Sequence, residues 1–341
     1  AEWYSVKGRI EVLAFNPVNN RVEWKPVKRF LVKKYSKAVR IKLSDGRTFT
    51  VSPDHPLLVK SGDGVIHLKQ AGKLLVEKTS SYYIPVIMKK VNSEKYATLR
   101  SGEVVVDEDL GYLLGLIYRN MHSGFKQDKL VINNHIEHSS EKIVISIDRS
   151  EWSLRDNILK SAEKLKCRVE ESIDDARSSR HYVKLDCTGL TKLLRENNVV
   201  DIHRESSIPW FIWNSPVNVR LSFIKGLLGW ERCCRDDYIE IRVDNVDLAN
   251  DILLLLALSG VYAHMDRGNN IIYIPCRGGG ESANGGKGFD GDVTWVSVKE
   301  VEEVSVNGLF IDVEVEDTHY FVHSQGVISH NCCRLSIDMK E

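Results

Sequence analysis

The chain has 341 residues, enough for two or three domains with sizeable cores, and its 47 Lys and Arg are balanced by 47 Asp and Glu. This balance excludes a net positive charge that would attract nucleic acid to the whole chain. The seven cysteines have no C-x-x-C spacing, which argues against a disulfide scaffold or a structural zinc site. They indicate a reducing, cytoplasmic compartment. The first residues lack a secretion signal, and the longest apolar stretch, 252–258, is too short to span a bilayer, so we expect no membrane partner.

Residues 5 to about 95 predict an all-β segment. Turn-forming residues at 16–20 and 44–47 separate stretches that largely alternate polar and apolar side chains, as half-buried strands do. These stretches are 9–15, 21–24 and 38–43. Many short strands in succession favour a compact β fold over a parallel α/β sheet.

From about residue 101 the periodicity becomes helical. A first helix carries Gly111 and Gly115 on one face, where small residues let another backbone approach closely. A second helix is expected over 215–230, with Pro216 in its first turn, and a third over 247–258. The small residues of the second helix are Gly226 and Gly229. Because strand-like stretches such as 142–147 lie between the helices, this part predicts an α/β segment.

The last part of the chain returns to β structure. A Gly-rich tract, 277–291, has too little apolar surface to fold and is expected to be a loop or linker. The β pattern resumes at 293–298, and the tail predicts two short alternating strands that end at Asn331. The order β, α/β, β is most simply explained by one domain inserted into a loop of another. We therefore predict a mostly β domain formed by 5–100 and 291–331, with an α/β insert at 101–290.

The triplet His330-Asn331-Cys332 ends this pattern and combines three chemical functions. An asparagine side-chain amide can attack its own backbone carbonyl, close a succinimide ring and cut the chain after itself. The thiol of Cys332 is a nucleophile for acyl transfer, and His330 can donate or remove protons near neutral pH. The triplet therefore suggests a protein that breaks its own peptide bonds, although the same three residues also occur by chance.

Three further features precede this triplet in a defined order: Ser5 directly before a strand, Ser52-x-x-His55, and the segment 312–319. In this order the chain resembles an intein, a self-splicing element. Inteins begin with Cys or Ser, carry Thr-x-x-His, have Asp and His in a penultimate block, and end in His-Asn before Cys, Ser or Thr. The resemblance covers residues 5–331 and implies a mostly β splicing domain of the horseshoe-like Hint type.

The same resemblance makes residues 1–4 and 332–341 the ends of two flanking segments, the exteins. Joined, they read Glu-Trp-Tyr-Cys-Cys-Arg-Leu, which is similar to a segment of anaerobic ribonucleotide reductase. The resemblance therefore implies that the chain's partners are its own exteins, with a ribonucleotide reductase as the expected host.

At the first junction the resemblance implies three roles. Ser5 would attack the Tyr4 carbonyl and turn the amide into an ester, while His55 would protonate the departing amide nitrogen. Ser52 departs from the usual Thr but keeps a hydroxyl group that would orient this site. The alternative for His55 is a plain turn residue before Pro56.

At the second junction the resemblance implies that Cys332 takes the acyl group, while Asp312 lies between both ends and tunes the thiol. His319 and His330 would assist the cyclisation of Asn331, which releases the intein before an acyl shift restores a peptide bond between the exteins. The alternatives are a solvated strand carboxylate for Asp312 and a structural core histidine for His319. Two further histidines match no functional position and are interpreted as structural: His67 and His323.

The pairing of Ser5 with Cys332 is energetically mismatched. Passing an acyl group from a serine ester to a thiol forms a thioester from a more stable ester, so this step is uphill. We interpret Ser5 as a replacement for Cys that slows splicing. No cofactor is expected for the splicing reaction.

The insert resembles a LAGLIDADG homing endonuclease. Residues 113–121 are similar to one copy of the helix motif, and residues 208–232 contain a stretch similar to the second copy. In that family the acidic residue at the end of each helix holds Mg²⁺ for DNA hydrolysis. Here Glu231 keeps a carboxylate, but the matching residue in the first copy is Asn120, a poorer ligand for a hard cation. The alternative is a pair of plain core helices with small residues at their contact.

The charge of the insert also bears on cleavage. Residues 101–290 contain 24 Lys and Arg against 29 Asp and Glu, a net charge of −5, whereas phosphate binding favours a basic face. We therefore expect an endonuclease domain that keeps its fold and has lost cleavage of its double-stranded DNA target at the insertion site.

Three other functions compete with this interpretation. A hedgehog-type autoprocessing domain shares the β fold and the Ser/Thr-x-x-His pattern, but it ligates nothing and lacks the His-Asn-Cys end. A site-specific LAGLIDADG endonuclease as the main activity would leave the order of the flanking β blocks unexplained. A plain β binding module would show no self-cleavage.

Overall fold

The structure is a computed structural model. It describes residues 2–5, 10–77, 81–90, 100–101, 104–122, 142–148, 152–174, 180–196, 208–228, 238–243, 245–275 and 291–331. The chain divides into two compact units, one formed by Ala1–Lys89 with Leu256–Glu341 and the other by Lys90–Leu255. This division lies at different residues from the predicted domain bounds at 100/101 and 290/291, which stay a prediction.

The first unit begins with seven strands and one helical turn. They are β1 (Glu2–Ser5), β2 (Glu11–Asn16), β3 (Arg21–Leu43), β4 (Thr48–Val51), β5 (Pro56–Ser61), β6 (Ile66–Gln70), α1 (Ala71–Leu74) and β7 (Tyr82–Ile87). In β1 the backbone alone is described. The predicted turns are present, and Gly46 at φ +84° closes the second of them because it adopts the left-handed conformation without strain. The predicted separate strands 21–24 and 38–43 are instead the two ends of the single strand β3.

The second unit alternates helices with strands. They are β8 (Arg100–Ser101), β9 (Val104–Val105), α2 (Glu108–His122), β10 (Lys142–Asp148), α3 (Ser153–Lys164), β11 (Arg168–Asp174), β12 (Arg180–Asp186), α4 (Thr188–Glu196), α5 (Trp210–Trp213), α6 (Val217–Leu228), β13 (Tyr238–Arg242) and α7 (Val246–Leu258), whose last three residues belong to the first unit. An antiparallel sheet has the order β10-β12-β11. No helix within the described ranges is long and apolar enough to cross a membrane.

Helices α2 and α6 pack through their glycines. A β-carbon added to Gly115 would lie 2.0 Å from the Phe223 carbonyl oxygen, and one added to Gly226 would lie 2.0 Å from that of Tyr112. Any side chain at either position would push the helices apart. The predicted role of the small residues is thus confirmed for these positions, whereas Gly229 lies outside the described residues.

The cysteines of the second unit include one bonded pair. Cys167 and Cys187 form a disulfide with a Cα–Cα distance of 4.7 Å, within the usual range. The sequence favoured a reducing compartment, and it did not predict this pair. Residue 167 directly precedes β11 and residue 187 directly follows β12, and such ends of antiparallel neighbours lie side by side.

The first unit is completed by five strands that follow α7. They are β14 (His264–Asp266), β15 (Ile271–Pro275), β16 (Val293–Val315), β17 (Tyr320–Val322) and β18 (Ile328–His330). The main sheet has the order β18-β17-β2-β3-β16-β7-β5-β6, and β1 and β4 also pair with β3. In the tail, the first predicted strand is the end of the long strand β16, and the rest forms β17 and β18. Of the Gly-rich tract, residues 277–290 lie outside the described residues.

The core of this unit lies under the middle of its sheet. It contains fully buried Val39 and Ile41 of β3, Leu57 and Val59 of β5, and Val296 of β16. Because these strands bury one face each, apolar side chains alternate along them. A mostly β first unit and an α/β second unit together confirm the predicted fold class.

Candidate active site

The backbone of the first junction lies beside β3. In β1, Tyr4 is opposite Phe30 and Ser5 is opposite Arg29. Strand β16 pairs with the same part of β3, where Asp312 is opposite Leu31. Because a strand has two hydrogen-bonding edges, β1 and β16 lie on opposite edges of β3, two strand spacings or about 10 Å apart. The bond between residues 4 and 5 is thereby placed near Asp312.

The segment Ser52-x-x-His55 forms a turn between β4 and β5. The His55 amide donates to the Ser52 carbonyl oxygen at 3.0 Å, with Pro53 at a position that favours such turns. Two bonds hold the turn against the start of α1, since the amides of Ala71 and Gly72 donate to the carbonyls of His55 and Pro53. Both Ser52 and His55 are buried as a result.

His55 faces the carboxylate of Asp312. Its Nδ1 lies 4.0 Å from Asp312 Oδ2, and Asp312 is only 8% exposed, so it is not a solvated strand carboxylate. Burial lowers the pKa of His55, and the charge of Asp312 opposes this shift. Within the described part of the chain, no group hydrogen-bonds His55 Nε2. The imidazole is therefore held neutral, with one buried nitrogen available for proton transfer.

Asp54, inside the same turn, organises the Ser52 hydroxyl. Ser52 Oγ donates to Asp54 Oδ1 at 2.7 Å, Tyr35 donates its hydroxyl at 2.7 Å, and Lys33 Nζ lies 3.2 Å from Oδ2. Burial alone would raise the pKa of Asp54, but these three hydrogen bonds outweigh it and lower the pKa to about 2. Since its proton is engaged by a carboxylate, Ser52 presents its oxygen to the site as an acceptor.

A cavity of about 190 Å³ joins these groups. Ser52, His55 and Asp312 line it together with His323 and aromatic side chains that include Phe49. His323 is half-buried, and desolvation of its ring followed by the nearby charge of His55 lowers its pKa to about 3. His323, for which we predicted a structural role, shares the cavity of the candidate site. Its alternation with the inward-facing Phe321 was the one sequence signal for this position.

The second junction is a compact group around Asn331. The Asn331 amide donates to the His319 carbonyl oxygen at 2.8 Å, and its side-chain Nδ2 lies 3.3 Å from His319 Nδ1. His330 Nδ1 is 2.6 Å from the Asn331 carbonyl oxygen, so the tautomer with a proton on Nδ1 donates to that oxygen. Burial lowers the pKa of His330, although the hydrogen bond to Asn331 raises it.

These contacts match the requirements of asparagine cyclisation. The attacking nitrogen of Asn331 must lose a proton, and His319 Nδ1 is the neighbouring acceptor. The attacked carbonyl must be polarised, and His330 is hydrogen-bonded to its oxygen. His319 adopts φ +60°, a conformation that non-glycine residues rarely adopt and that persists where the surroundings enforce it.

The two groups also influence one another electrostatically. The charge of His330 lowers the pKa of His55, and the charge of Asp312 raises that of His330. The structure thus places His55, His330 and Asp312 close enough for the charge of one to shift the pKa of another. Four predicted site residues cannot be located to the same degree: the side chains of Ser5 and Asn120 are not described, and Glu231 and Cys332 lie outside the described residues. The roles assigned to all site residues stay predictions.

Among the described residues, no three His, Cys, Asp or Glu side chains cluster as a metal site would require.

Comparison with known proteins identifies one family. A protein-family model described as the intein splicing domain matches residues 6–331. A DNA polymerase of Pyrococcus horikoshii is 26% identical over 192 residues, which is 54% of this chain and 14% of the polymerase. The chain therefore covers only a small part of that relative.

Two kinds of solved structure are also similar. The homing endonuclease I-DmoI in complex with DNA and Mn has a TM-score of 0.34 at 16% identity, over 50% of this chain and 89% of that one. The PabCDC21-1 intein has a TM-score of 0.22 at 20% identity, over 25% of this chain and 47% of that one.

Proposed function

The chain belongs to the intein splicing domain family, and we propose that it splices itself out between Tyr4 and Cys332 through the groups that meet at the His55–Asp312 cavity and around Asn331. The observation that carries this proposal is the position of the Asn331 side-chain amide against His319, with His330 at the carbonyl that must be attacked. The partners in the reaction are the two flanking segments of the same polypeptide.

The first step converts the bond between residues 4 and 5 from an amide into an ester. The Ser5 hydroxyl oxygen attacks the Tyr4 carbonyl carbon, the C–N bond breaks, and the hydroxyl proton ends on the released amine. His55 is suited to relay that proton because burial keeps it neutral, so that Nε2 can accept and return a proton near neutral pH. Ser52, as an acceptor fixed by Asp54, would hold the N–H of the departing group.

The second step moves the acyl group. The Cys332 thiolate attacks the ester carbonyl, and the released Ser5 oxygen takes a proton. Asp312 is the group we assign to proton exchange with the thiol, because its carboxylate lies beside His55 and its backbone position is level with β1 across β3.

The third step releases the intein. Asn331 Nδ2 attacks its own carbonyl carbon and passes a proton to His319, the C–N bond to Cys332 breaks, and the proton ends on the released Cys332 amine, so the chain ends in a succinimide. His330 stabilises the charge that develops on the Asn331 oxygen. The free amine of Cys332 then attacks the thioester, which leaves an ordinary peptide bond between Tyr4 and Cys332.

A time course tests this proposal. The chain is fused at its two ends to reporter proteins of different size, and the purified precursor is followed on a gel. We expect a ligated double reporter and a free intein to appear together, and the Asn331→Ala variant to release no free intein. A precursor that stays whole, or that is only hydrolysed at the junctions, would refute the proposed reaction.

A second proposal concerns the insert, and one observation supports a homing-endonuclease fold there. The close glycine contact between α2 and α6 is the packing that the LAGLIDADG resemblance implies. We propose that the insert is a degenerate endonuclease which keeps this helix pair. The donor set does not fit Mg²⁺, because of the two metal-binding positions that the resemblance implies, one holds the carboxylate of Glu231 and the other the neutral amide of Asn120. We therefore derive no cleavage step through a metal.

Incubation of the purified chain with double-stranded DNA that carries the uninterrupted insertion site, in the presence of Mg²⁺, tests the degenerate state. We expect no double-strand cutting, and efficient cutting would contradict the proposal. An Asn120→Asp variant serves as a positive comparison, since it restores the second carboxylate.

We also propose a ribonucleotide reductase as host and the cytoplasm as location. The first proposal is supported by the sequence around the joined exteins, and the second by the use of a free thiol at Cys332. Genomic sequence on both sides of the chain tests the host directly.

A further inference from the structure

Gln325 is an unusual residue in the turn between β17 and β18. It is 2% exposed and adopts φ +64° and ψ +10°, in the left-handed region. A non-glycine residue keeps this conformation only where its surroundings enforce it, and such residues concentrate at functional sites. The enforcing contacts here are hydrogen bonds from two separate parts of the chain.

The first set of bonds comes from the start of β4. Gln325 Oε1 accepts from the Thr48 amide at 3.0 Å, and Nε2 donates to the Thr48 carbonyl at 2.5 Å. Arg47, which is completely buried, donates from Nε to the Gln325 backbone oxygen at 2.8 Å. The Arg47 guanidinium is in turn paired with buried Asp45. Both the side chain and the backbone of Gln325 are thus fixed to this segment.

The second set comes from the segment 263–267, around β14. Arg267 donates from Nη2 to Gln325 Oε1 at 3.0 Å and from Nε to the Gly46 carbonyl at 2.7 Å. The Ala263 carbonyl accepts from Arg47 at 3.3 Å. These residues fall within 101–290, the stretch that the sequence assigned to the insert, yet they belong to the first unit.

The contact of this segment with the turn before β4 is close. The Met265 amide donates to the Asp45 carbonyl at 2.8 Å. A β-carbon at Gly46 would lie 1.7 Å from the Met265 carbonyl oxygen, so only glycine fits there. The segment 263–267 is therefore a fitted part of the splicing domain.

We infer that Arg47, Arg267 and Gln325 form a clamp that positions Asn331 for cyclisation. Two residues, Gly326 and Val327, and the short strand β18 lie between Gln325 and Asn331, and β18 pairs with β17 so that His330 is opposite Tyr320. A shift of the turn moves β18 along β17 and separates Asn331 from His319, because the two strands share one register. The three clamp residues are positioning residues, since none of them touches the reacting atoms.

This inference rests on the proposed splicing reaction, and two half-reactions test it separately. A Ser5→Ala background isolates cleavage after Asn331, and an Asn331→Ala background isolates ester formation at Ser5, which is read out as release by hydroxylamine. Arg267→Met keeps the length of the side chain and removes its donors. The matched control is Arg21→Met, an exposed arginine at the turn between β2 and β3.

We expect Arg267→Met to slow cleavage after Asn331 by about tenfold to a hundredfold, the loss that a misplaced reacting group causes. Ester formation should be unchanged, and Arg21→Met should affect neither reaction. Equal slowing of both half-reactions by Arg267→Met would show a general effect on folding and would overturn the clamp. Unchanged rates would overturn it as well.

A structural measurement distinguishes failure of the clamp from failure of the proposed function. In the unreactive chain with Ser5→Ala and Asn331→Ala, the residue 331 amide still has the His319 carbonyl as its acceptor. We expect Arg267→Met to accelerate hydrogen exchange at the amides of residues 331 and 48, with no change at strand β10. If those amides keep their protection, the clamp is refuted even in a chain that splices. If the parent chain never cleaves after Asn331, the proposed function fails, and this exchange experiment still decides on the clamp.

Discussion

Replacing Asp54 by asparagine should slow ester formation at Ser5 while leaving the second junction intact. The carboxylate accepts hydrogen bonds from Ser52 and Tyr35 and lies beside Lys33, and it is ionised throughout the neutral range because its pKa is lowered to about 2. Asparagine removes the charge and offers an NH₂ group that competes for the Ser52 oxygen. The hydroxyl then loses the fixed orientation in which its oxygen accepts from the junction.

The size of this effect follows from the exposure of the group. A hydrogen bond to a charged partner contributes about 1.5–3 kcal/mol, but the Asp54 side chain is 46% exposed, and solvent screening reduces that contribution. We take about 1 kcal/mol as the part that acts on Ser52, which corresponds to about fivefold in rate.

The assay uses the Asn331→Ala background and measures hydroxylamine-dependent release of the first extein by mass spectrometry. The chain provides a matched control in Asp63→Asn. Asp63 accepts from Ser61 with the same spacing of two residues, but at the exposed turn between β5 and β6. Asp54→Asn should be about fivefold slower than the parent, and Asp63→Asn should equal the parent. Equal rates for all three chains would refute the role of Asp54, as would equal slowing in both variants.

Three further changes have defined outcomes. Gly226→Ala should destabilise the second unit by about 1–3 kcal/mol in urea unfolding, because its β-carbon would overlap the Tyr112 carbonyl. The control Gly308→Ala has open space around its β-carbon and should cost less stability. Equal losses of stability in the two variants would contradict the packing of α2 against α6. His323→Gln should remove part of the loss in the free energy of unfolding at acid pH. The pKa of His323 is about 3 in the folded chain and about 6.5 in the unfolded chain, so between these values only the unfolded chain binds the proton. The free energy of unfolding of the parent therefore falls as the pH drops from 6.5 towards 3. At pH 5 the parent should have lost about 2 kcal/mol more than the variant relative to pH 7, and parallel pH profiles would exclude this role. Ser5→Cys should speed splicing, because it removes the uphill ester-to-thioester transfer, and a ligated product that appears no faster would defeat the mismatch argument.

The parts of the fold that sequence predicted are those set by local pattern. Alternating side chains identified the β segments, and glycines spaced along one face of α2 identified its contact with α6. The same local view divided β3 into two strands. The polar residues between 33 and 37 interrupt its apolar alternation, whereas the pairing with β16 keeps that stretch extended.

The parts of the site that sequence missed depend on distant partners. Ser52, His55 and Asp312 could be named from their order along the chain, although their neighbours could not. Asp54 is polar and lies in a turn, which is where solvated aspartates usually lie, and only the folded chain brings Tyr35 to it. Arg47 and Gln325 are 278 residues apart, and nothing local indicates that a buried arginine fixes the turn before β18.

The central claim is that one acyl group is handed from the first junction to the second within a single folded chain. Mass spectrometry of the products from the purified precursor tests it most directly. We predict a new peptide in which Tyr4 is joined to Cys332 by an ordinary amide, together with residues 5–331 ending in a succinimide. If both flanking segments are found only as separate, hydrolysed pieces, no transfer has taken place and the account is wrong.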